Sequence, residues 1–276
     1  ISMSGLAEIL LKEGFTVSGS DTKESPLTKK LVSEGAHIIY GQKAENITRD
    51  IGCVVYTAAI NRNNPELIEA VALKIPMLTR AELLGQLMKN YDTPIAVSGT
   101  HGKTTTTSMI SHILLEGDLD PTISVGGILK AIGGNIRVGN SGTFITEACE
   151  YTNSFLHFFP KISVILNIEE DHLDFFKDLE DIRHSFHQFA ELLPEDGTLI
   201  NAEIKDYAEI YEGLSCNVVT YGTNGCFDYS AKNITYDENG HVAFDLFRRG
   251  EYADHIQLSV TGDHNVSNAL SAIAVA

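Results

Sequence analysis

The fold is decided by residues 95–105, which read Ile-Ala-Val-Ser-Gly-Thr-His-Gly-Lys-Thr-Thr. The apolar run at the start predicts a buried β-strand, and Gly-Lys-Thr at the end predicts the first turn of a helix. Between them, Gly99 and Gly102 allow a tight turn whose backbone N–H groups can point at a phosphate. Lys103 would add a positive charge there, and the Thr104 hydroxyl could ligate Mg²⁺. This stretch predicts a phosphate-binding loop between a strand and a helix of an α/β fold.

This loop is shorter than the standard phosphate-binding loop. The pattern G-x-x-x-x-G-K-[ST] has a glycine five residues before its second glycine, and Val97 stands there in this chain. The alternative interpretation is a glycine-rich strand–helix turn that binds nothing. Gly-Lys-Thr at a helix start directly after an apolar strand favours phosphate binding.

The sequence before residue 93 alternates between strand and helix patterns, which predicts a Rossmann-like unit with a parallel sheet. The strand patterns cover residues 15–20, 37–40 and 53–57, and the helix patterns cover residues 4–13, 25–34, 65–73 and 80–90. Residues 91–94, Tyr-Asp-Thr-Pro, suggest a domain boundary.

A second α/β unit of the P-loop type begins at the phosphate loop. Its predicted strands are residues 95–97, 144–146, 164–168, 199–201 and 218–221, with helices notably at residues 103–116 and 178–193. From residue 228 the period changes to that of hairpin strands, which predicts a small antiparallel β subregion at residues 234–236, 242–247 and 256–260. The predicted domains are therefore residues 1–92 and residues 93–276.

Composition restricts the function classes. The 276 residues carry 37 Asp and Glu against 20 Lys and Arg, a formal charge of −17. A protein that grips nucleic acid or an anionic membrane carries a basic surface, so neither partner is expected. No C-x-x-C pair links the four cysteines, and no signal peptide or long apolar run stands in the sequence, which together predict a cytoplasmic protein with reduced thiols. Both ends fall inside helical patterns, so we expect a part of a longer protein.

Polar side chains follow predicted strands where ligands bind in α/β sheets, at the carboxyl ends. Glu147 follows one strand, and residues 167–172, Asn-Ile-Glu-Glu-Asp-His, follow the next. Taken singly, Glu147 could start a helix and His172 could be a surface residue. Near the end of the chain, residues 262–268 could be a capped helix start, or could present amides that recognise a purine.

Four motifs, in this order and spacing, resemble those of the Mur ligases, the ATP-dependent amide-forming enzymes of peptidoglycan synthesis. They are residues 99–105 in the phosphate loop, residues 147–150 (Glu-Ala-Cys-Glu), residues 167–172, and residues 262–268 (Gly-Asp-His-Asn-Val-Ser-Asn). The resemblance covers essentially the whole chain. It implies a three-domain protein in which residues 1–92 bind a UDP-sugar and lack their first strand, residues 93–276 bind ATP, and a C-terminal domain is absent, so that this chain alone would be inactive.

The resemblance also implies roles for individual residues. The phosphates of ATP would be cradled by Gly99, Thr100, His101, Gly102, Lys103, Thr104 and Thr105. Mg²⁺ would lie on or beside Thr104, Glu147 and His172, and catalysis would depend on Lys103, His172 and Glu147. The rest of the nucleotide would contact His264, Asn265 and Asn268, with Asn268 at the adenine. The UDP-sugar would contact Ser20, Asp21, Thr57, Ala58, Ala59 and Ile60.

The activity that the resemblance implies is the joining of L-alanine to the lactyl carboxylate of UDP-N-acetylmuramate through an acyl phosphate, in the bacterial cytoplasm. The alternatives are another enzyme of the superfamily, such as a murein tripeptide ligase or a folylpolyglutamate synthetase, and a nucleotide-binding protein without catalysis. Two departures from the family are visible. Gln42 stands where relatives often have His, and residues 183–189 contain no Lys, so no carbamylated lysine is expected there.

Overall fold

The computed structural model describes residues 2–57, 59–202, 208–223 and 225–276. The helices are α1 (Ser2–Lys12), α2 (Pro26–Ser33), α3 (Pro65–Ala72), α4 (Arg80–Met88), α5 (Lys103–Glu116), α6 (Leu179–Glu191), α7 (Ala208–Tyr211) and α8 (His264–Val275). The strands of the first part are β1 (Ser18–Asp21), β2 (His37–Tyr40), β3 (Val54–Tyr56) and β4 (Met77–Thr79). Those of the second part are β5 (Thr93–Ser98), β6 (Thr122–Leu129), β7 (Gly134–Arg137), β8 (Thr143–Glu147), β9 (Ile162–Ile165), β10 (Thr198–Ala202), β11 (Asn217–Gly222), β12 (Tyr229–Tyr236), β13 (His241–Arg248) and β14 (Glu251–Thr261). Short 3-10 helices cover Ala44–Asn46, Lys130–Ile132 and Tyr151–His157.

One ten-stranded sheet dominates the described structure, in the order β14-β13-β12-β11-β10-β9-β5-β8-β6-β7. Strands β11, β10, β9, β5, β8 and β6 are parallel, and β7 and β12–β14 run in antiparallel pairs at the two ends. The mixed α/β fold class is therefore confirmed. The antiparallel strands extend the same sheet, because β12 pairs with β11 through Tyr221 and Gly222.

Strand β5 lies in the middle of this sheet and supplies side chains to both of its faces. Ile95 and Val97 are buried with Ile110 of α5 and Leu270 of α8. Ala96 points to the opposite face, where Phe186 of α6 joins a second buried cluster. Because alternate residues of a strand face opposite sides, one apolar run holds helices on both faces. The phosphate loop thus leaves from the most buried strand.

Three strands were not predicted from the sequence. β4 is only three residues long, too short to show a period. β6 contains Gly126 and Gly127, which interrupt its apolar run, and β7 begins with Gly134, one residue after a short 3-10 helix. Glycine has no side chain to contribute to a pattern, so glycine-containing strands give a weak sequence signal.

The strands before residue 93 form two separate parallel pairs, β1 with β2 and β3 with β4. The expectation of one continuous sheet is not met within the described residues, because no described strand pairs with both β1 and β3. The helices do match the expected positions, and Ser25 and Thr79 form capping boxes at the starts of α2 and α4.

Helices α1 and α4 pack against the large sheet. Leu6 and Ile9 of α1, with Leu84 and Met88 of α4, belong to the same buried cluster as Phe144 of β8. Gly85 of α4 lies directly on the backbone of the 3-10 helix Tyr151–His157. The two parts of the chain therefore share a core, while the boundary at residue 92 stays a prediction.

Searching the described residues for a helix long and apolar enough to cross a membrane finds none.

The contact of Gly85 makes a prediction for stability. Replacing Gly85 by Ala should lower the free energy of unfolding by about 1–3 kcal/mol, although Ala is the better helix former, because the added methyl group would overlap the His157 carbonyl. Urea unfolding measures this change. Gly52→Ala is the matched control, since its added methyl group would meet open space. A Gly85→Ala variant as stable as the wild type would contradict this close packing.

Candidate active site

The phosphate loop requires its two glycines. Gly99 has φ of +138° and Gly102 has φ of +86°, conformations that favour glycine. A Cβ atom on Gly102 would also lie 2.6 Å from the Asn268 side-chain oxygen, and one on Gly99 would lie 2.9 Å from Leu166. The backbone therefore approaches both neighbouring segments more closely than any side chain would permit. Helix α5 begins directly at Lys103, as predicted.

Asn167 fixes the shape of this loop. Its side-chain oxygen accepts a hydrogen bond from the His101 N–H at 2.8 Å, and its side-chain nitrogen donates to the His101 carbonyl at 3.1 Å. Its own carbonyl accepts from the Thr100 N–H at 3.1 Å. The Thr100 hydroxyl in turn accepts from the Glu169 N–H at 2.9 Å. The loop is thus held by the segment that follows β9 and does not depend on a ligand for its shape.

Lys103 faces a buried carboxylate. Its ammonium donates to Glu150 Oε2 at 3.0 Å and to the carbonyls of Gly99 and Thr100. Glu150 is only 2% exposed, so its charge is balanced chiefly by Lys103. His172 Nε2 lies 3.7 Å from Glu150 Oε1. Lys103, Glu150 and His172 are therefore three titratable groups in a row beside the loop.

Glu147 lies at the end of β8, on the other side of the helix start. Its Oε2 accepts from the Thr104 hydroxyl at 3.0 Å, and its Oε1 accepts from the Gly126 N–H at 2.5 Å. A Cβ atom on Gly126 would lie 2.9 Å from this carboxylate, so the glycine permits the approach. Strand β6 thus contributes to the site.

The pair of Thr104 and Glu147 fits Mg²⁺. Mg²⁺ takes oxygen ligands about 2.1 Å away in octahedral geometry, so two neighbouring ligands stand about 3 Å apart. The Thr104 and Glu147 oxygens are 3.0 Å apart. No group of three or more His, Cys, Asp and Glu side chains in the described ranges could hold a metal. The structure joins His172 to Glu150 and, among the described contacts, not to Glu147.

A cleft of about 640 Å³ opens beside the loop. This volume is in the range of small-molecule sites and is large enough for a nucleoside. Its lining is the phosphate loop, the segment after β9, the ends of β10 and β11, and the start of α8, and includes His101, Gly102, Asn167, Ala202, Tyr221, Phe227, His264, Ser267 and Asn268.

Asn268 and Asn265 differ in their places relative to this cleft. Asn268 lines it and is 5% exposed, with its amide nitrogen donating to Asn265 Oδ1 at 2.9 Å. Asn265 donates to the Thr261 carbonyl at 2.8 Å and so stands behind Asn268. Asp263 does not cap α8 with its side chain, and instead accepts from the Tyr236 hydroxyl at 2.7 Å.

The residues expected at the UDP-sugar lie at the ends of β1 and β3. Ser20 donates to Glu66 at 2.6 Å, and the Asp21 side chain accepts from the Thr22 N–H. The Ile60 N–H donates to the Thr57 carbonyl, which closes a turn. No hydrogen bond among the described residues joins these two groups directly. Ala58 lies outside the described residues, and Ala59 is exposed in the turn.

Gln42 has a structural contact. Its side-chain oxygen accepts from Asn64 at 2.7 Å, and Asn64 caps the start of α3. Glu66, in the first turn of the same helix, also accepts from Asn46. The loops after β1 and β2 are therefore tied to the start of α3.

Sequence reasoning did not assign roles to Gly126, Glu150 or Asn167. Glu150 and Asn167 stand inside motifs that drew attention to their neighbours, so a second carboxylate and an amide beside the loop were signals. Gly126 is part of a Gly-Gly pair, but only the strand pairing of β6 with β8 brings it to Glu147.

Comparisons with known proteins identify the family of this chain. The family model described as Mur ligase middle domain matches residues 97–276, and the one described as Mur ligase family, catalytic domain, matches residues 1–92. A curated protein of Agathobacter rectalis, UDP-N-acetylmuramate–L-alanine ligase, is 62% identical over the whole chain, and that of Lachnospira eligens with the same name is 58% identical over 99% of it. The chain spans 60% of the length of each of these relatives.

Solved structures show the same fold. The UDP-N-acetylmuramate:L-alanyl-gamma-D-glutamyl-meso-diaminopimelate ligase of Neisseria meningitides superposes with a TM-score of 0.86 at 28% identity, over 99% of this chain and 88% of that one. The UDP-N-acetylmuramate-alanine ligase of Thermotoga maritima gives a TM-score of 0.82 at 28% identity, over 99% of this chain and 62% of that one.

The contacts of Asn167 predict the consequence of removing its amide. Asn167→Ala should weaken the binding of ATP about tenfold, because the loop loses two hydrogen bonds that hold its shape. Isothermal titration calorimetry measures the affinity. Asn140→Ala is the matched control, since it removes a side-chain hydrogen bond to Asp120 at 2.6 Å that does not involve the loop. Equal affinity in the Asn167→Ala variant would show that the loop holds its shape without this side chain.

Proposed function

Because this chain belongs to the Mur ligase family, we propose that the whole protein is an ATP-dependent ligase that joins L-alanine to the lactyl carboxylate of UDP-N-acetylmuramate. The observation that carries the proposal is the site itself. Lys103 and Thr104 of the preformed phosphate loop lie with Glu147 beside a cleft large enough for a nucleoside. The 62% identity to a curated relative of that name supports the choice of substrates. Such a protein would act in peptidoglycan synthesis in a bacterial cytoplasm, where ATP is supplied.

The proposed reaction has two steps. A carboxylate oxygen of the acid attacks the γ-phosphorus of ATP, the bond to the bridging oxygen breaks, and ADP leaves with that oxygen. The product of this step is an acyl phosphate. The amine of L-alanine then attacks its acyl carbon, phosphate leaves, and the amine gives up a proton as the amide forms. The protein contributes mainly position and charge neutralisation, as is general for phosphoryl transfer.

The residues of the loop supply this charge neutralisation. The backbone of residues 99–105 and the N-terminus of α5 would receive the phosphates, which explains why the loop is glycine-bounded and held open by Asn167. Lys103 would turn from Glu150 toward the terminal phosphate. Its present partners are within one side-chain length of the loop, so the movement is small.

Thr104 and Glu147 would hold Mg²⁺, which supplies Lewis-acid polarisation of the phosphate oxygens when bound. His172 would act from the side of Glu150 and keep that carboxylate oriented while Lys103 moves. Adenine would enter the cleft beside Asn268 and His264, and Asn265 would hold the Asn268 amide in one orientation.

The UDP-sugar would lie at the carboxyl ends of β1 and β3, against Ser20, Asp21 and residues 57–60. Parallel strands present their ligands at this end. Ser20 and the turn at residues 57–60 both lie next to α3, because Ser20 bonds Glu66 and the turn directly precedes the helix. Because both segments lie next to α3, this arrangement supports a single UDP-sugar cleft lined by Ser20 and the turn.

Replacing Lys103 by Ala in the complete protein should lower turnover on the order of 100-fold or more, because the transferring phosphoryl group loses its nearest side-chain cation. The assay is ADP release in the presence of UDP-N-acetylmuramate and L-alanine. Lys29→Ala removes an exposed lysine of α2 and should leave turnover unchanged. Full turnover in the Lys103→Ala variant would refute the assignment. ADP release by the wild type without either substrate would favour a nucleotide-binding protein that makes no bond.

A second candidate follows from the similarity to the Neisseria structure, whose name includes a tripeptide. We expect ADP release with UDP-N-acetylmuramate to depend on L-alanine and not on L-alanyl-gamma-D-glutamyl-meso-diaminopimelate, since the relatives named for alanine are 53–62% identical and the Neisseria protein is 28% identical. A panel of single amino acids and this tripeptide separates the two. Preference for the tripeptide would assign the second activity.

A further inference from the structure

Arg80 is a half-buried arginine whose Nε atom has no hydrogen-bond partner. It is the first residue of α4, directly after β4, and its Nε atom is buried with no hydrogen-bond acceptor. Across the part of the chain that the structure describes, no ion pair includes Arg80. Buried guanidinium groups are normally paired, because an unpaired one loses hydration without compensation. The arrangement is therefore unfavourable in the ligand-free protein.

Its position on the helix adds to this cost. The N-terminus of a helix carries partial positive charge, so a cation in the first turn is unfavourable. The acidic residue of this turn, Glu82, forms no ion pair with Arg80 among the described contacts, and its carboxylate accepts from the Thr79 N–H at 2.6 Å in the capping box. Arg80 and the start of α4 thus present positive charge in the same place.

The Glu147 carboxylate of the active site is among the groups that interact with Arg80. Burial lowers the pKa of Arg80, and its interactions with the neighbouring groups Cys149 and Glu147 act in the opposite direction. Helix α4 is held in place by the close contact of Gly85 with the backbone at His157. The 3-10 helix that ends at His157 follows residues 147–150 directly. The backbone of α4, which begins at Arg80, is therefore held against the segment that follows Glu147.

The other charges of the site already have partners. Lys103 is paired with Glu150, and Glu147 accepts from Thr104 and Gly126. The phosphates of a nucleotide would have the loop and Lys103. Arg80 belongs instead to the first part of the chain, whose strand ends face the proposed UDP-sugar. A planar guanidinium matches a carboxylate, with which it can form two parallel hydrogen bonds.

We propose that Arg80 binds the reacting carboxylate of the acid substrate and holds it beside Glu147, in line with the terminal phosphate. This inference rests on the proposed function and assigns a substrate contact within it. The cost of leaving Arg80 unpaired in the free protein would be recovered when the acid binds.

Steady-state kinetics of the complete protein test this contact. In Arg80→Ala, KM for UDP-N-acetylmuramate should rise about 30-fold, as when one partner of a buried charge pair is removed, while KM for ATP stays at the wild-type value. Arg80→Lys should restore part of the affinity, since it keeps the charge but not the two-pronged geometry. Arg248→Ala, which removes an arginine from distant β13, should change neither constant. A rise in KM for ATP alone would assign Arg80 to the phosphates and overturn the proposal.

Thermal unfolding without substrates gives a second, independent measurement. Arg80→Met keeps the length and helix propensity of the side chain but removes the charge, so the melting temperature should rise or stay unchanged. A clear fall would mean that Arg80 supports the fold, and would overturn the proposal. If wild-type protein turns over no acid substrate, the proposed function itself fails and this assignment with it. If the wild type is active and Arg80→Ala behaves identically, only this assignment fails.

Discussion

The site depends on the hydrogen bonds between Asn167 and the phosphate loop. Three hydrogen bonds join this residue to the backbone of Thr100 and His101. They connect the ends of β5 and β9, which are neighbours in the sheet. Because both strands are buried, their packing restrains the loop that Asn167 joins to them. Binding a phosphate then requires little ordering of the backbone, which keeps the entropic cost of binding low.

The charges around this loop are arranged in pairs, with one exception. Lys103 faces Glu150, and Glu147 is satisfied by Thr104 and Gly126, so the site is stable without a ligand. Arg80, at the start of α4, has a buried Nε atom without a hydrogen-bond acceptor among the described residues. The net charge of −17 excludes a broad basic surface but leaves room for such local cations. A protein with a negative net charge can thus bind an anionic group where a local cation such as Lys103 stands at a helix N-terminus.

The first part of the chain is joined to the large sheet through α1 and α4. These helices bury Leu6, Leu84 and Met88 against the strand that carries Glu147. The same packing holds α4, which begins at Arg80, although β4 itself belongs to a separate two-stranded pair. Sequence patterns showed α4 as a helix but gave no reason to connect its first residue to Glu147. That connection is a property of the packing.

The sequence by itself determined the α/β class, the position of the phosphate loop and the carboxylate at Glu147, because these depend on local patterns. An apolar strand, two glycines and Gly-Lys-Thr act within eleven residues, and α5 begins at the expected residue. Only the tertiary structure decided that Gly126 of β6 contacts Glu147, that His172 lies beside Glu150, and that Asn265 holds the Asn268 amide. It also decided that the early strands form two pairs. These features join residues that are far apart in the chain, and no local period or propensity records which distant segments will meet.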